Sequence, residues 1–237
     1  MRPVAIFRHA PIEGPGYFAT FLAARNIPWR LIAIDEGAPI PADPADFSGL
    51  CLMGGPMSAN DDLPWIAESL AFIRAAAQKN LPVLGHCLGG QLMAKAFGGT
   101  ISRNPVVELG WGDAKGTTGE AARHWLGELA GQALTIFSWH GETFSLPPGA
   151  ALLASTTFCA NQIAAWDKHL ALQCHVEMTP EMVEVWSTEG ATEIAEASAS
   201  PAVQHAAQMQ AQTAENLPTM RRLADALYGR WIEGLAR

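Results

Sequence analysis

Alternating strand and helix signals along residues 4–97 predict an α/β fold, with a mostly parallel central sheet and helices on both faces. Shorter strand signals over residues 100–177 add a small antiparallel extra sheet, and an Ala-rich end adds a helical C-terminal tail.

The apolar run Val4 to Phe7 reads as the first strand, Gly16 to Arg25 as a helix and Trp29 to Ile34 as the next strand. Gly49-Leu50-Cys51-Leu52-Met53 is short and apolar throughout, the form of a strand buried on both faces. Trp65 to Lys79 follows as a helix, Val83 to His86 as a strand and Gly89 to Phe97 as a helix opening directly after it. In the middle, Thr100 to Ser102, Val106 to Trp111, Ala133 to Trp139, Leu152 to Ser155 and Asn161 to Trp166 read as shorter strands, with Ala121 to Leu129 as an intervening helix. A last strand, Leu170 to Glu177, returns to the sheet. Thr179-Pro180-Glu181 then has the form of a helix start: an N-cap, Pro at the first position and an early acid. Residues 191–215 read as helix and Leu217 to Leu235 as its amphipathic continuation. A single domain over 1–190 is expected, with a helical extension, 191–237, packed on it; 237 residues, 49% of them apolar, can bury a sizeable core.

The most informative stretch is Gly85-His86-Cys87-Leu88-Gly89-Gly90-Gln91. It sets a cysteine between two glycines directly after Leu81-Pro82-Val83-Leu84. That is the sequence form of a nucleophile elbow, a strained strand-to-helix turn in which glycines two residues either side keep side chains off the neighbouring backbone. Cys87 would stand at a helix N-terminus, where unpaired N–H groups and the macrodipole favour a thiolate. A base is offered by Gln173-Cys174-His175-Val176-Glu177. In an extended strand His175 and Glu177 share a face while Cys174 and Val176 point the other way. Glu177 can then hold one imidazole nitrogen and aim the other at Cys87, a Cys-His-Glu triad if the fold brings the segments together.

With these residues in place the chain resembles the class I, triad-type glutamine amidotransferases, most closely stand-alone proteins similar to the glutaminase domain of GMP synthase. Cys87, Gly89 and Gln91 match that family's G-x-C-x-G-x-Q elbow, and Gln173, His175 and Glu177 its Q-x-H-x-E segment, with Val176 where Pro is usual. Gly54-Gly55-Pro56 resembles the oxyanion loop, and Ser138-Trp139-His140-Gly141-Glu142 the segment that helps hold glutamine. The resemblance spans residues 45 to 185 and implies a flavodoxin-like fold. It also implies hydrolysis of the γ-amide of L-glutamine through a glutamyl thioester, giving glutamate and ammonia.

The physics of the extra pieces agrees. Gly54 and Gly55, just past a buried strand, let a backbone N–H approach a developing oxyanion, with Gly55 and the N–H of Leu88 as the two donors. Gln91 lies one helical turn past Cys87, where its amide can face substrate. With Gly54, Trp139, His140 and Gly141 it makes up the expected substrate-binding set. Among the other histidines, His140 in the Ser138 to Glu142 loop borders the substrate, His86 points away into a structural role, and His9 takes a surface or capping role near the rim.

Composition excludes several classes. A net charge of −8 with no Lys/Arg cluster argues against nucleic acid. No stretch approaches the roughly 20 apolar residues of a membrane span, and the N-terminal apolar run is too short for a signal peptide. Four cysteines without a C-x-x-C pair make neither a disulfide framework nor a zinc site, so a reducing, cytoplasmic setting is expected, with no metal and no cofactor. The chain has no P-loop and no length left for an ATP-dependent amination domain. A separate synthetase subunit would therefore receive the ammonia, or the chain is a self-sufficient hydrolase resembling the γ-glutamyl peptidases and hydrolases, which accept larger leaving groups. A third reading, a redox-sensing or non-catalytic cysteine on a DJ-1-like fold, uses the elbow but has no need of His175-x-Glu177. The tail could pack on its own domain, cover a sheet edge or form a homodimer surface.

Overall fold

A computed structural model describes residues 1–236. Five strands form its parallel half: β1 (Val4–Arg8), β2 (Trp29–Ala33), β3 (Gly49–Leu52), β4 (Val83–His86) and β9 (His169–Leu172), in the order β2-β1-β3-β4-β9. Strands β3, β4 and β9 are buried at every residue, which is why their sequences are apolar without alternation. Alternation instead divides the core in two. Val4 and Ile6 face a layer containing Phe18, Phe21 and the C-terminal helix, while Ala5 and Phe7 face the layer of α2 (Pro64–Gln78) and α3 (Leu88–Ala96).

The antiparallel strands, expected as a small extra sheet, continue the same ten-stranded sheet. From β9 it passes to β8 (Ile163–Trp166), β7 (Ala151–Ser155), β5 (Ile101–Gly116) and β6 (Ala133–Phe144). The two separate strands expected over 100–111 are one long strand whose register slips between Arg103 and Glu108, where Pro105 cannot donate to the ladder. Ser138 to Glu142, expected as a loop, lies within β6.

On the face carrying Phe18, α1 (Gly16–Ala23) is covered by α7 (Ala206–Ile232), while α4 (Glu120–Leu126) and α5 (Pro180–Glu189) flank α7. Thr179 caps α5, accepting from the Met182 N–H, with Pro180 at the first helical position as its sequence implied. The helix expected over 191–215 is broken: α6 (Ala191–Glu196) stops, a two-residue strand, β10 (Ala202–Val203), pairs with β5, and α7 begins at Ala206 behind a His205–Gln208 capping box. Pro201 supplies the reason, since it lacks an N–H and disfavours helical backbone at Ser200. Of the extension 191–237, only Arg237 falls outside the described residues. Tyr228 and Trp231 of α7 are fully buried and pack edge-on against Phe18, with ring centroids 4.8 and 5.7 Å away. Truncating either aromatic would cost about 3–5 kcal/mol, so α7 belongs to the main core.

Candidate active site

The elbow forms as its glycines implied. Between β4 and α3, Cys87 adopts φ +48°, ψ −111°, a conformation costing on the order of 1–3 kcal/mol for a residue with a side chain. Its N–H donates to the Leu172 carbonyl at 2.8 Å, tying the turn to the end of β9. A Cβ on Gly85 would overlap the Gly89 carbonyl, one on Gly89 would overlap the Leu52 carbonyl, and one on Gly90 would come within 2.6 Å of the Leu172 oxygen. These glycines let α3 lie directly on β3 and β9.

Strand β9 ends at Leu172, short of the expected Glu177, because its partner β4 turns away into the elbow. Gln173 then donates its N–H to Gln162, and His175 donates its own to Phe137 of β6 at 2.7 Å. His175 and Glu177 nevertheless meet as an extended backbone would place them: Nδ1 lies 2.7 Å from Oε1, with both residues 1% exposed. The Glu177 carbonyl accepts the Tyr17 N–H at 2.7 Å, which anchors the segment to the start of α1.

Burial alone would lower the His175 pKa, but the Glu177 charge and the interactions with Cys87 outweigh it and hold the imidazole well above its ordinary range. For Glu177 burial pushes upward, and the neighbouring His86 and His175 overcome it, leaving the carboxylate below its usual value. The pair therefore favours imidazolium beside carboxylate.

Cys87 and His175 line one cavity of about 850 Å³, together with Gly55, Gln91, Trp139, His140 and Gly141. Gly54, Leu88 and Glu177 stand outside its lining. Gly54 backs His175, since a Cβ there would come within 3.1 Å of the imidazole Cε1, and Gly55 packs on Leu88 and His9. Leu88, first residue of α3, has no intrahelical partner for its N–H, and the Gly55 N–H makes no backbone bond among the described residues. Gln91 donates to Gln173 at 3.3 Å, and Gln173 in turn donates to the Cys87 sulfur at 3.6 Å. His140 is held by its Nδ1 near the Glu142 carbonyl and its Nε2 3.0 Å from Glu108. Glu108, His140 and Cys159 gather ligand-type atoms within 4.8 Å of one another, but Thr156 and Gln162 both donate to Glu108, making this a hydrogen-bonded support for His140.

His86 is fully buried behind the His175–Glu177 pair, its Nε2 2.9 Å from the Tyr228 hydroxyl and 3.6 Å from Glu177 Oε2. His9, expected at the surface or as a cap, is buried: its Nδ1 meets the Met53 carbonyl at 3.0 Å, its ring stacks on Trp65, and burial pushes its pKa down to about 4. Sequence reasoning missed Glu13 and Trp186. Trp186 sits edge-on to His175 with centroids 4.7 Å apart. Glu13 lines the cavity from the loop after β1, a position at the carboxyl rim of the sheet that could have flagged it.

The model of the glutamine amidotransferase class-I family matches residues 19–185. A glutamine amido transferase of Methylobacillus flagellatus, known from its crystal structure, is 44% identical and superposes with a TM-score of 0.96, covering 100% of this chain and 96% of that one. The glutamine amidotransferase-like protein YfeJ of Salmonella typhimurium is 29% identical over 86% of this chain and 87% of its own length. γ-Glutamyl peptidase 3 of Arabidopsis thaliana is 27% identical over 71% of this chain and 71% of its own length. The glutamine-hydrolysing GMP synthase of Paraburkholderia phytofirmans is 31% identical over 56% of this chain, a match spanning 26% of the synthase. No helix among the described residues is long and apolar enough to cross a membrane.

Proposed function

The chain belongs to the class-I glutamine amidotransferase family, and from that premise we propose that it hydrolyses a γ-glutamyl amide, L-glutamine in the simplest case, through a Cys87-His175-Glu177 triad. The observation that carries this reading is the buried 2.7 Å His175–Glu177 pair beside a cysteine held at positive φ on a helix N-terminus. The Cys87 sulfur attacks the γ-carbonyl carbon, and the Gly55 and Leu88 N–H groups receive the oxyanion. His175, kept protonated by Glu177, gives its proton to the departing nitrogen. It then takes one from the water that cleaves the glutamyl thioester and releases glutamate. Gln91, Trp139, His140, Gly141 and the Gly54 turn shape the donor side of the site. Released ammonia would pass to a separate synthetase subunit.

A second reading, a γ-glutamyl peptidase, is favoured by the Arabidopsis relative and by a cavity near the top of the roughly 300–1,000 Å³ that encloses drug-sized ligands. Both readings are tested by glutamate release from L-glutamine and γ-glutamyl peptides, with Cys87→Ser as control. Peptide turnover well above that of glutamine selects the peptidase. Release that survives Cys87→Ser refutes both.

A further inference from the structure

The nitrogen that leaves must take its proton from His175, so whatever that nitrogen carries projects past the imidazole. On that side the cavity is walled by aromatic rings and carboxylates. Trp186 stands edge-on to His175, and Trp139 meets Trp186 at a centroid distance of 5.9 Å. Gly190 lies so close to the Trp139 ring that any side chain there would collide with it, and Glu193 accepts the Trp139 indole N–H at 2.8 Å. Glu189 lines the same wall with no ion pair among the described residues.

Glu13 completes the wall. Its side chain makes no hydrogen bond among the described residues, its open side is the cavity, and it stands against Gly54 within the electrostatic reach of His175. A part-buried carboxyl without a protein partner, facing a cavity, gains from a ligand that supplies the missing donor. Tryptophan faces attract alkylammonium groups as well. The α-ammonium of the γ-glutamyl part is common to every candidate substrate, so a preference set by this wall shows only in the leaving group.

We propose that the site takes γ-glutamyl amides whose leaving amine bears a second, cationic group, a γ-glutamyl diamine or polyamine, with the distal ammonium received by Glu13, Glu189 and the Trp139–Trp186 pair. This rests on the triad reading above. The Cys87 sulfur bonds to the γ-carbon, the C–N bond breaks with its electron pair going to nitrogen, and His175 protonates that nitrogen. The diamine departs, and water converts the thioester to glutamate and free Cys87.

The test compares the γ-glutamyl amides of diaminobutane and of pentylamine, near-isosteres that differ in the terminal charge, as substrates of the full chain. The expected kcat/KM ratio favours the diamine by about tenfold, and Glu13→Gln and Glu189→Gln each lower that ratio. Equal or reversed preference in the unaltered protein, or a ratio that neither substitution moves, overturns the inference while leaving Cys87-dependent hydrolysis standing. Absence of Cys87-dependent turnover of any γ-glutamyl amide, L-glutamine included, overturns the triad reading and this inference with it.

Discussion

Replacing Glu13 by Gln should stabilise the protein at alkaline pH and do much less in acid. Enclosure pushes the Glu13 carboxyl from 4.5 up to about 7; the His175 charge pulls against the rise, and Glu177 and Glu193 add to it. Between those two values the native state holds a proton that the unfolded chain has released, so stability falls as pH rises through the window and stays lower above it. The gap from 4.5 to about 7, at about 1.4 kcal/mol per pKa unit, amounts to about 3.5 kcal/mol at full effect. Gln keeps the shape and removes the ionisation. Urea unfolding of both proteins at pH 5 and pH 8 should show the variant gaining about 2–3 kcal/mol on the wild type between the two conditions. A stability difference that does not change with pH would refute the reasoning, because an amide and a freely ionising carboxylate would then be equivalent at that position.

Gly89→Ala forces a methyl group into the Leu52 carbonyl and should destabilise by about 3 kcal/mol or more, read as a lower urea midpoint; an unchanged midpoint would mean that α3 does not lie on β3 as described. Tyr228→Phe removes the hydroxyl from a fully buried His86 and should cost about 1–2 kcal/mol in the same assay, with a loss of a few tenths contradicting the contact. For Glu177→Gln the sign follows from both partners. The lowered Glu177 pKa contributes stability above its ordinary 4.5 that is lost as pH falls, and the raised His175 pKa contributes stability below 6.5 that is lost as pH rises. The destabilisation caused by Glu177→Gln should thus be largest between about pH 4.5 and 6.5 and shrink toward pH 9; a flat difference over that range would contradict the ion pair.

What the sequence revealed was whatever short spacing encodes. Gly85, Cys87 and Gly89 specify a strand-to-helix turn by their own sterics, and His175 and Glu177 are two residues apart on extended backbone, so the elbow and the His175–Glu177 pair were both legible. Elements interrupted by proline were misjudged in opposite directions. The two strands expected over 100–102 and 106–111 are one, with a register slip beside Pro105 in β5, whereas the Ala-rich run from 191 hid the break at Pro201. The roles of Trp186 and Tyr228 were not legible, because each depends on a partner distant in the chain. Trp186 donates its indole N–H to the Ile12 carbonyl, and Tyr228 reaches His86 across 142 residues. His9 was misplaced for the same reason, since Trp65 and the Met53 carbonyl that bury it belong to other segments.

The most direct measurement is rapid-quench mass spectrometry of the intact protein mixed with L-glutamine or a γ-glutamyl amide. A transient γ-glutamyl adduct should appear on the peptide containing Cys87 and vanish in Cys87→Ala, and in His175→Asn its formation should slow by roughly 10²–10⁴-fold. Glutamate release with no adduct on Cys87, or an adduct on another cysteine, would contradict the triad.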